Sequence, residues 1–454
     1  MPKKKTALTI EERLQQALVP AEEQPYEVPE NWVWVRLGAI AEIVTGGTPS
    51  KKHPEYYGGN FPFYKPSDLD QGRLTYDASE YLSEEGKNVS RIIPKNSTAV
   101  CCIGSIGKCG YLMCEGTTNQ QINSAIPKIN SLCLYYYLCT ENFVQDLLSM
   151  ASATTIAIVN KSKMESCAFP LPPLSEQQRI VERIEELFAK LDEAKERLQE
   201  VADSFAVRKA AILHKAFTGE LTKQWRRENG VSDESWEERK FDDCIEKMQN
   251  GLSKRKGDEG NNIGVLRLAN LGEDDLVLDD LRYILLTEKE EKNYLLSKDD
   301  VIMIRVNGSK DNVARQIVIN TDEKLAFCDH IIRIKYNPNI VVRYVMYFSK
   351  TNAYRKYVED NMVSSAGQNT ISRKGLASLV IPLPSIEEQH EIVRLIDDLL
   401  ARERAAQQAA EQALASIDLM KKSILARAFR GELGTNKASE ASALELLRQV
   451  LAEG

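Results

Sequence analysis

Long apolar runs, histidine and an excess of positive charge are all scarce in this sequence of 454 residues. No apolar run approaches the roughly 20 residues that a membrane-spanning helix needs, so we do not expect a membrane protein. The basic start (MPKKK) is not followed by an apolar segment, so it does not predict a secretory signal. The length is typical of two or three domains, each with its own core.

Cysteine is present, but without the even spacing of a disulfide framework. Seven of the nine cysteines lie between Cys101 and Cys167. This pattern predicts reduced thiols in a cytoplasmic protein. A zinc site on Cys101, Cys102, Cys109 and Cys114 is the alternative, but the sequence has no CxxC pair and no histidine near these residues.

Catalytic motifs are also missing. The segment Cys102–Lys108 looks like a phosphate loop, but GxxxxGK[ST] would need glycine at 102 and Ser or Thr at 109, where cysteine stands at both. There is no GxSxG elbow, HExxH pair or dinucleotide fingerprint. The histidines are scattered, at His53, His214, His330 and His390. We therefore expect a non-catalytic binding protein; an enzyme with activity in this chain and a DNA-independent coiled-coil scaffold are the rival hypotheses.

The net charge of −7 argues against a protein that holds nucleic acid through bulk charge. It leaves room for a localised basic face. Charge within each globular segment is nearly balanced, so any affinity for nucleic acid must come from the arrangement of side chains or be shared with a partner.

A segment of about fifty residues occurs twice. The copies run from Pro170 to Leu221 and from Pro382 to Leu433, and every matched pair is separated by 212 positions. Both copies open with Pro-Leu-Pro, continue through Glu-Gln and close with Ala-Phe-x-Gly-Glu-Leu. A repeat of this length and constancy indicates duplication.

Each copy is predicted to form one long helix. No proline or glycine interrupts the run from Ser175, a predicted N-cap, to Thr218, and Gly219 stands where a helix would stop. Apolar residues at alternating steps of three and four form a coiled-coil seam, in which Arg208 and Glu403 are polar exceptions. About forty residues give a helix of roughly 60 Å. Because short connections are the rule, we predict that the two helices pair antiparallel. The alternative is that each packs on its own domain or on an unrelated partner.

The repeat divides the chain into segments. Short strand-like runs mixed with helices predict an α/β (α+β) fold for two similar globular domains. Individual residues recur at matching places in the two domains: Trp236 corresponds to Trp32, and Gly251 corresponds to Gly46. The helices at the two chain ends either pack on this protein or dock a partner. The predicted segments are residues 1–30 (N-terminal helix and arm), 31–173 (first domain), 174–222 (first helix), 223–234 (linker), 235–384 (second domain), 385–434 (second helix) and 435–454 (helical tail).

Polar, glycine-flanked loops are the candidate binding surfaces of both domains. Backbone N–H groups and lysines suit phosphates, and Asn and Gln amides suit adenine in the major groove. Each loop taken alone is also compatible with an ordinary surface turn, and the run 254–256 (KRK) favours a polyanion most. In the first domain the candidates are Thr45, Gly46, Gly47, Thr48, Ser50, Lys51, Lys52, Tyr64, Lys65, Asp68, Ser105, Lys108, Asn119, Gln120 and Gln121. In the second domain they are Asn250, Ser253, Lys254, Arg255, Lys256, Arg267, Asn270, Arg305, Asn307, Ser309, His330, Gln368 and Asn369.

Together these features resemble the specificity subunits of type I restriction-modification enzymes. The resemblance rests on Pro170–Val181 with Ala216–Leu221 and on their second copies. The segments Asn31–Leu37, Thr45–Ser50 and Tyr64–Leu69 also resemble one class of the family's target-recognition domains.

The resemblance implies two target-recognition domains, each reading one half of a split site in double-stranded DNA. The long helices would act as an antiparallel ruler and bind two adenine methyltransferase subunits, which motor-nuclease subunits join. S-adenosylmethionine, ATP and magnesium would belong to those partners and not to this chain, which would act in the cytoplasm in defence against phage. The residues implied to contact a partner are Glu176, Gln177, Phe217, Glu388, Gln389 and Phe429.

The two helix starts differ at the positions that follow Glu-Gln. Gln178 and Arg179 of the first copy are replaced by His390 and Glu391 in the second. Whether both helix starts bind a methyltransferase subunit in the same way is therefore open.

Overall fold

The computed structural model describes residues 9–152, 157–272 and 275–453. The chain forms two compact units, the first comprising Met1–Leu198 with Gln412–Gly454 and the second Gln199–Glu411. Each unit combines one predicted globular domain with the start of one repeated helix and the end of the other copy. Among the described residues, no helix is both long and apolar enough to cross a membrane.

The first unit is built on short strands with buried apolar side chains. Its strands are β1 (Val33–Arg36), β2 (Ala41–Thr45), β3 (Tyr57–Tyr64), β4 (Glu80–Leu82), β5 (Thr98–Cys101), β6 (Cys109–Tyr111), β7 (Thr117–Thr118), β8 (Ile122–Pro127) and β9 (Ala168–Leu171). One sheet has the order β2-β8-β5-β6 with antiparallel neighbours. A second has the order β4-β3-β7, and β1 pairs with β9 so that Trp34 lies opposite Pro170.

Short helices cover these sheets. They are α1 (Ile10–Ala17), α2 (Leu37–Ile40), α3 (Glu84–Asn88), α4 (Ser131–Leu138), α5 (Glu141–Met150) and α6 (Lys161–Ser166). The capping box of Thr9 and Glu12 at the start of α1 follows the pattern in the sequence. The Thr140 hydroxyl accepts a hydrogen bond from Phe143 N, so an N-cap separates α4 from α5.

The first copy of the long helix is interrupted once. It consists of α7 (Leu174–Asp203) and α8 (Phe205–Phe217), which Ser204 joins. Ser204 N donates to Glu200 O and Arg208 N donates to Ser204 O, so the predicted long helix is present as two joined segments. Ser204 keeps helical backbone angles, but its hydroxyl donates to Val201 O at 2.6 Å, a local bond that competes with the helix. Ser175 is also not the N-cap. Pro173 O accepts from the N–H groups of Glu176 and Gln177, so the helix begins at Leu174, two residues earlier than an N-cap at Ser175 predicts.

The second unit repeats the sheets of the first. Its helices before the second long helix are α9 (Lys223–Asn229), α10 (Glu288–Tyr294), α11 (Val342–Phe348), α12 (Asn352–Asn361) and α13 (Arg373–Leu376). Its strands are β10 (Glu237–Lys240), β11 (Ile245–Asn250), β12 (Asn261–Leu266), β13 (Arg282–Leu286), β14 (Val301–Ile304), β15 (Val306–Asn307), β16 (Gln316–Val318), β17 (Leu325–Phe327), β18 (Ile331–Tyr336), β19 (Val363–Ser365), β20 (Gln368–Thr370) and β21 (Val380–Leu383). The orders β11-β18-β14-β16, β13-β12-β17 and β10-β21 match those of the first unit. The second unit also has the sheet β15-β20-β19, and at the matching place of the first unit Ile158 forms isolated bridges with Ile103 and Ser152. The predicted internal repeat is confirmed.

The long helices pair antiparallel within each unit. The second copy is α14 (Ile386–Ala428), and α15 (Ala443–Glu453) follows it. In the first unit Asp192 pairs with Lys421 at 2.5 Å and Lys195 with Asp418 at 3.9 Å, so the two helices run in opposite directions. In the second unit Arg208 pairs with Glu403 at 2.8 Å. The two polar exceptions of the predicted seam therefore face each other.

The helices at the chain ends belong to the core of the first unit. Leu14 of α1 and Leu447 and Leu451 of α15 join a buried cluster that also contains Phe429 at the end of the second repeat. Of the two roles predicted for the terminal helices, the structure shows packing on this chain.

Candidate nucleic-acid interface

The Glu-Gln pair at the start of α7 organises the core of the first unit. The buried Glu176 carboxylate accepts hydrogen bonds from Trp32 Nε1 at 2.7 Å and from Asn436 Nδ2 at 2.8 Å. Thr435 Oγ1 donates a third at 3.2 Å. These neutral donors satisfy a carboxylate that would be costly to bury alone, and they join β1 and the tail to the helix start.

The equivalent carboxylate in the second unit is held by a cation. Glu388 is fully buried and accepts from Thr222 Oγ1 at 2.6 Å and from Arg226 NH1 at 2.7 Å. Its Oε2 and the Nε1 of Trp236 are buried with no hydrogen-bond partner in the described part of the chain. In the first unit the corresponding Trp32 and Glu176 atoms bond to each other, so the two units share the residues but not this contact.

The glutamine of each pair bonds to the start of a helix in its globular domain. Gln177 Oε1 accepts from Asn130 N at 3.1 Å, and Gln389 Oε1 accepts from Val341 N at 2.8 Å. Each Nε2 also donates to the carbonyl of a proline before its own helix, at 2.9 and 3.0 Å. Because Asn130 and Val341 are the N-cap residues of α4 and α11, the amides fix the starts of these helices.

The residues implied to contact a partner have internal roles. Among them, Phe217 is half-buried at the end of α8, and the other side chains are buried. Their contact with a partner stays a prediction. The matched positions Arg179 and Glu391 form different ion pairs. Arg179 makes a bidentate pair with Glu440 of the tail at 2.7 and 2.9 Å, whereas Glu391 pairs with Arg394 one turn further along its own helix.

A glycine marks the same close approach in both units. A Cβ on Gly46 would lie 2.2 Å from Asn119 O and 2.4 Å from Thr118 O. A Cβ on Gly251 would lie 2.2 Å from Cys328 O. The predicted correspondence of Gly46 and Gly251 is therefore explained by a backbone that leaves no space for a side chain.

The base of the first-unit loop is rigidly connected. The Thr45 hydroxyl donates to Asn123 Oδ1 at 2.8 Å, and Gly47 N donates to a carbonyl of β7 at 2.8 Å. Asn119 is buried, and its side chain donates to Gln121 Oε1 at 3.0 Å. These residues hold the loop in place and offer little surface of their own.

The tip of the same loop is open to solvent. Thr48 Oγ1 donates to Gln120 Oε1 at 2.5 Å, which joins residues 45–52 to residues 119–121. Ser50, Lys51 and Lys52 are exposed, and the two lysines form no ion pair with a described residue. This tip is the most accessible basic surface of the first unit's predicted loops.

The segment 64–68 has a structural role. Tyr64 is fully buried and donates to a backbone carbonyl at 3.1 Å. Asp68 is nearly buried and accepts from Lys65 N at 2.7 Å and Ser79 N at 3.1 Å. Ser105, by contrast, is exposed. Of these predicted residues, Ser105 and the Lys65 side chain remain accessible to a ligand.

The second-unit loop 250–256 lies against residues 327–330. Asp329 N donates to Leu252 O at 2.9 Å. Asn250, Ser253 and Lys256 are exposed, and no described carboxylate pairs with Lys256. This arrangement corresponds to the pairing of residues 45–52 with 118–121 in the first unit.

Two further predicted loops join this group. Arg305 N donates to His330 O at 2.8 Å, and the buried Asn369 donates from Nδ2 to a carbonyl at position 308 at 2.9 Å. Asn307 Oδ1 accepts from the backbone N–H of residue 309 at 2.8 Å. Loops that are distant in sequence thus converge on one region of the second unit. Its more exposed members are Ser309 and Gln368.

Asn270 stabilises its own turn. It is buried, accepts from Arg267 N at 3.0 Å and donates to Val277 O at 3.0 Å and Asp280 O at 3.1 Å. Its amide is therefore engaged by the backbone, and Arg267 is the accessible member of this pair.

Carboxylates pair with most basic side chains of the predicted loops. No sequence pattern marks these acids, because each lies in a different loop, strand or helix from its cation. A partly exposed pair of this kind contributes about 0–1 kcal/mol, so a phosphate can compete for the cation. The pairs are Lys65–Glu80 at 2.9 Å, Lys108–Asp70 at 2.6 Å, Lys254–Glu290 at 2.6 Å, Arg255–Asp329 at 3.6 Å and Arg267–Asp280 at 2.8 Å.

One small group of side chains is close enough together to be considered for metal ligation. Within the described ranges, Cys328, Asp329 and His330 are the group whose possible ligand atoms lie within 4.8 Å of one another. Burial raises the pKa of the Cys328 thiol, and Asp329 already faces Arg255. Because Asp329 is already paired with Arg255, we assign no metal to this group. The cysteines considered for zinc do not form such a group in the described residues.

Comparison with known sequences points to one family. The profile described as "Type I restriction modification DNA specificity domain" matches residues 29–203 and 233–413. The chain is 28% identical over 447 residues to the type I restriction enzyme StySPI specificity subunit of Salmonella potsdam, covering 94% of this chain and 96% of that protein. It is 25% identical over 448 residues to the EcoKI specificity subunit of Escherichia coli, with the same coverage.

Comparison with solved structures supports the fold. The crystal structure of the HsdS subunit from Thermoanaerobacter tengcongensis aligns with a TM-score of 0.63 at 18% identity. The alignment covers 90% of this chain and 99% of that one.

Proposed function

Because the chain belongs to the family of type I restriction-modification DNA specificity proteins, we propose that it reads DNA sequence on behalf of a type I restriction-modification complex. The observation that carries the proposal is the convergence of polar loops within each unit around the close approach at Gly46 or Gly251. The family profile matches twice, once in each globular domain. Two domains with one fold and different loop side chains suit a split recognition site with two different halves.

The loops offer the contacts that such reading needs. Exposed lysines can bind phosphates, and exposed side chains such as Gln120, Asn250 and Gln368 can donate to and accept from base edges. With a net charge of −7, the chain depends on partners to clamp the DNA backbone. Reading and clamping are therefore divided between subunits.

The long helices are the proposed docking and spacing element. We assign to them the binding of two methyltransferase subunits, which motor-nuclease subunits join, and the spacing of the two half-sites. The buried Glu-Gln pairs support this role indirectly, because they fix each helix start to its domain. S-adenosylmethionine, ATP and magnesium would be bound by those partners, and the complex would act in the cytoplasm.

Methylation mapping tests the proposal. DNA from cells that express the complex should carry a methylated split motif, and removal of this chain should abolish it. An unsplit motif, or methylation that persists without the chain, would contradict the proposal.

Binding assays separate the rival functions. Fluorescence anisotropy with the assembled complex should show preference for the mapped site over scrambled DNA. Equal binding to both would favour a DNA-independent scaffold. Methylation or cleavage by the purified chain alone would favour an enzyme.

A further inference from the structure

The second unit contains an open apolar groove of about 380 Å³. It lies between the end of α8, the start of α12 and the edge of the β10–β21 pair. We call it the second-unit groove. Its apolar walls come from Leu213, Phe217, Phe348, Val380 and Pro382.

The first unit has an equivalent position, which strand register identifies. Trp34 lies opposite Pro170 in the β1–β9 pair, as Glu238 lies opposite Pro382 in the β10–β21 pair. Pro170 and Pro382 are matched residues of the internal repeat. Trp34 therefore stands where Glu238 lines the second-unit groove.

Aromatic contacts identify the opposite wall. Phe217 and Phe429 are matched residues of the repeat. The Phe217 ring lies 5.3 Å from that of Phe348, and the Phe429 ring lies 5.1 Å from that of Tyr137. Thr140 N donates to Tyr137 O as Thr351 N donates to Phe348 O, so Tyr137 is the first-unit counterpart of Phe348, and the two sites share this aromatic wall.

In the first unit this position is filled by the chain's own N-terminal arm. The ring of Tyr26 lies 4.9 Å from that of Trp34, edge to face, and the Arg430 guanidinium lies 5.2 Å from its centre. Trp34 Nε1 donates to Tyr26 O at 3.2 Å, and Val28 packs beside it. Burial raises the pKa of Tyr26, against the opposing effects of Arg430 and a hydrogen bond to Asn142.

The second unit's own linker does not take this path. Residues 223–229 form α9, where Arg226 binds Glu388, and Gly230 ends the helix in the left-handed conformation. No described linker residue lines the second-unit groove. One of two equivalent sites is therefore occupied in cis and the other is open.

We propose that the second-unit groove binds an extended segment from another polypeptide of the complex, with an aromatic side chain inserted as Tyr26 is inserted in the first unit. That this segment comes from a subunit of the complex rests on the proposed function. The groove and its preference for an aromatic side chain do not depend on it. The ring would pack on Phe217, Phe348 and Pro382. Glu238 at the rim would accept from a tyrosine hydroxyl, a contact that differs from those of Trp34 and Arg430 with the Tyr26 ring in the first unit.

A labelled peptide of residues 19–30 (VPAEEQPYEVPE) is the direct probe. Added to the full chain, it should bind one site, because the first-unit site already holds its own arm. The same peptide with Tyr26→Ala should bind at least tenfold more weakly. Absence of saturable binding, or equal binding of the two peptides, would overturn the proposal.

Two chain variants locate the site. Ala353 is exposed and lines the groove at the start of α12, so Ala353→Trp should block it and reduce peptide affinity at least tenfold. Glu359 is exposed later on the same helix and outside the groove, so Glu359→Trp should bind like the parent chain. Undiminished binding to Ala353→Trp would overturn the assignment of the groove.

Photo-crosslinking in the assembled complex tests the donor. A photoreactive phenylalanine analogue at position 353 should crosslink to another subunit, and one at position 359 should not. Sequence-selective DNA binding is measured on the same samples. Selective binding without a crosslink at 353 would overturn the groove proposal alone, whereas loss of selectivity in the parent complex would count against the proposed function.

Discussion

At the scale of the residue, Gly46 and Gly47 make a matched pair. A Cβ at Gly46 would collide with two carbonyl oxygens, while nothing lies within 4 Å of a Cβ at Gly47. Gly46→Ala should therefore destabilise the protein by about 1–3 kcal/mol through overpacking. Gly47→Ala should change stability by less than about 0.5 kcal/mol. Chemical denaturation measures both. Equal effects would show that the loop yields to a side chain.

The two repeated tryptophans should also respond differently. Trp32 donates to the buried Glu176 carboxylate, while Trp236 Nε1 has no described partner. Trp32→Phe should cost about 1.5–3 kcal/mol beyond the loss of ring volume, because it removes a hydrogen bond to a charged group. Trp236→Phe is the control that removes similar volume without a bond, and thermal or chemical denaturation compares the two. A larger loss for Trp236→Phe would mean that a partner for its Nε1 exists.

The duplication lets the sequence indicate structurally matched residues, such as Gly46 and Gly251, which occupy equivalent close approaches. The binding role predicted for the loop that contains Gly46 stays a prediction. Glu176 was assigned to a partner on resemblance, but its contacts with Thr435 and Asn436 bridge about 260 positions. No local pattern reports a contact that distant, because it depends on how the tail folds back onto the unit.

At the scale of the element, the helix seam was readable from apolar spacing. The interruption at Ser204 was not, because serine is compatible with a helix and only its local bond to Val201 O marks the break. The pairing of Arg208 with Glu403 follows from the antiparallel register, which brings the polar exceptions of both seams together.

A double-mutant cycle tests this register. Arg208→Ala and Glu403→Ala should show a coupling of about 0.2–1 kcal/mol that falls with added salt, since the side chains are 37% and 27% exposed. The more exposed Lys195–Asp418 pair, at 3.9 Å, is the control and should show almost none. Coupling of zero at Arg208 would argue against the pairing.

The acid beside Lys254 gives a prediction of increased affinity. Glu290 pairs with Lys254, which lowers the pKa of the carboxyl, and it also completes the capping box of α10 with Thr287. Glu290→Gln keeps the cap but releases the lysine for phosphate. DNA affinity of the assembled complex at low salt should rise several-fold, with helix stability nearly unchanged. Reduced affinity would mean that Glu290 positions Lys254 for binding.

At the scale of the whole molecule, the duplication was the most predictable feature, since a constant offset over fifty residues has no other simple cause. The same duplication could not reveal which bases are read. The loop side chains differ between the units, and their positions depend on contacts such as Thr48 with Gln120 and Arg255 with Asp329, which join segments far apart in sequence.

If each unit reads one half-site, basic residues of the two units should affect different halves of the DNA site. Lys51→Ala with Lys52→Ala in the first unit, and Lys254→Ala with Arg255→Ala in the second, should each weaken DNA binding. Each should also lower the salt slope of log K by roughly 0.9 for every phosphate that the variant no longer neutralises. Footprinting should show reduced protection of a different half-site for each double variant, with the second half-site protected least after the second pair of changes. Each variant is the other's control. If both variants weaken protection of the same half-site equally, the units do not read separate halves. If a variant leaves the salt dependence unchanged, the loop that carries it does not contact the DNA.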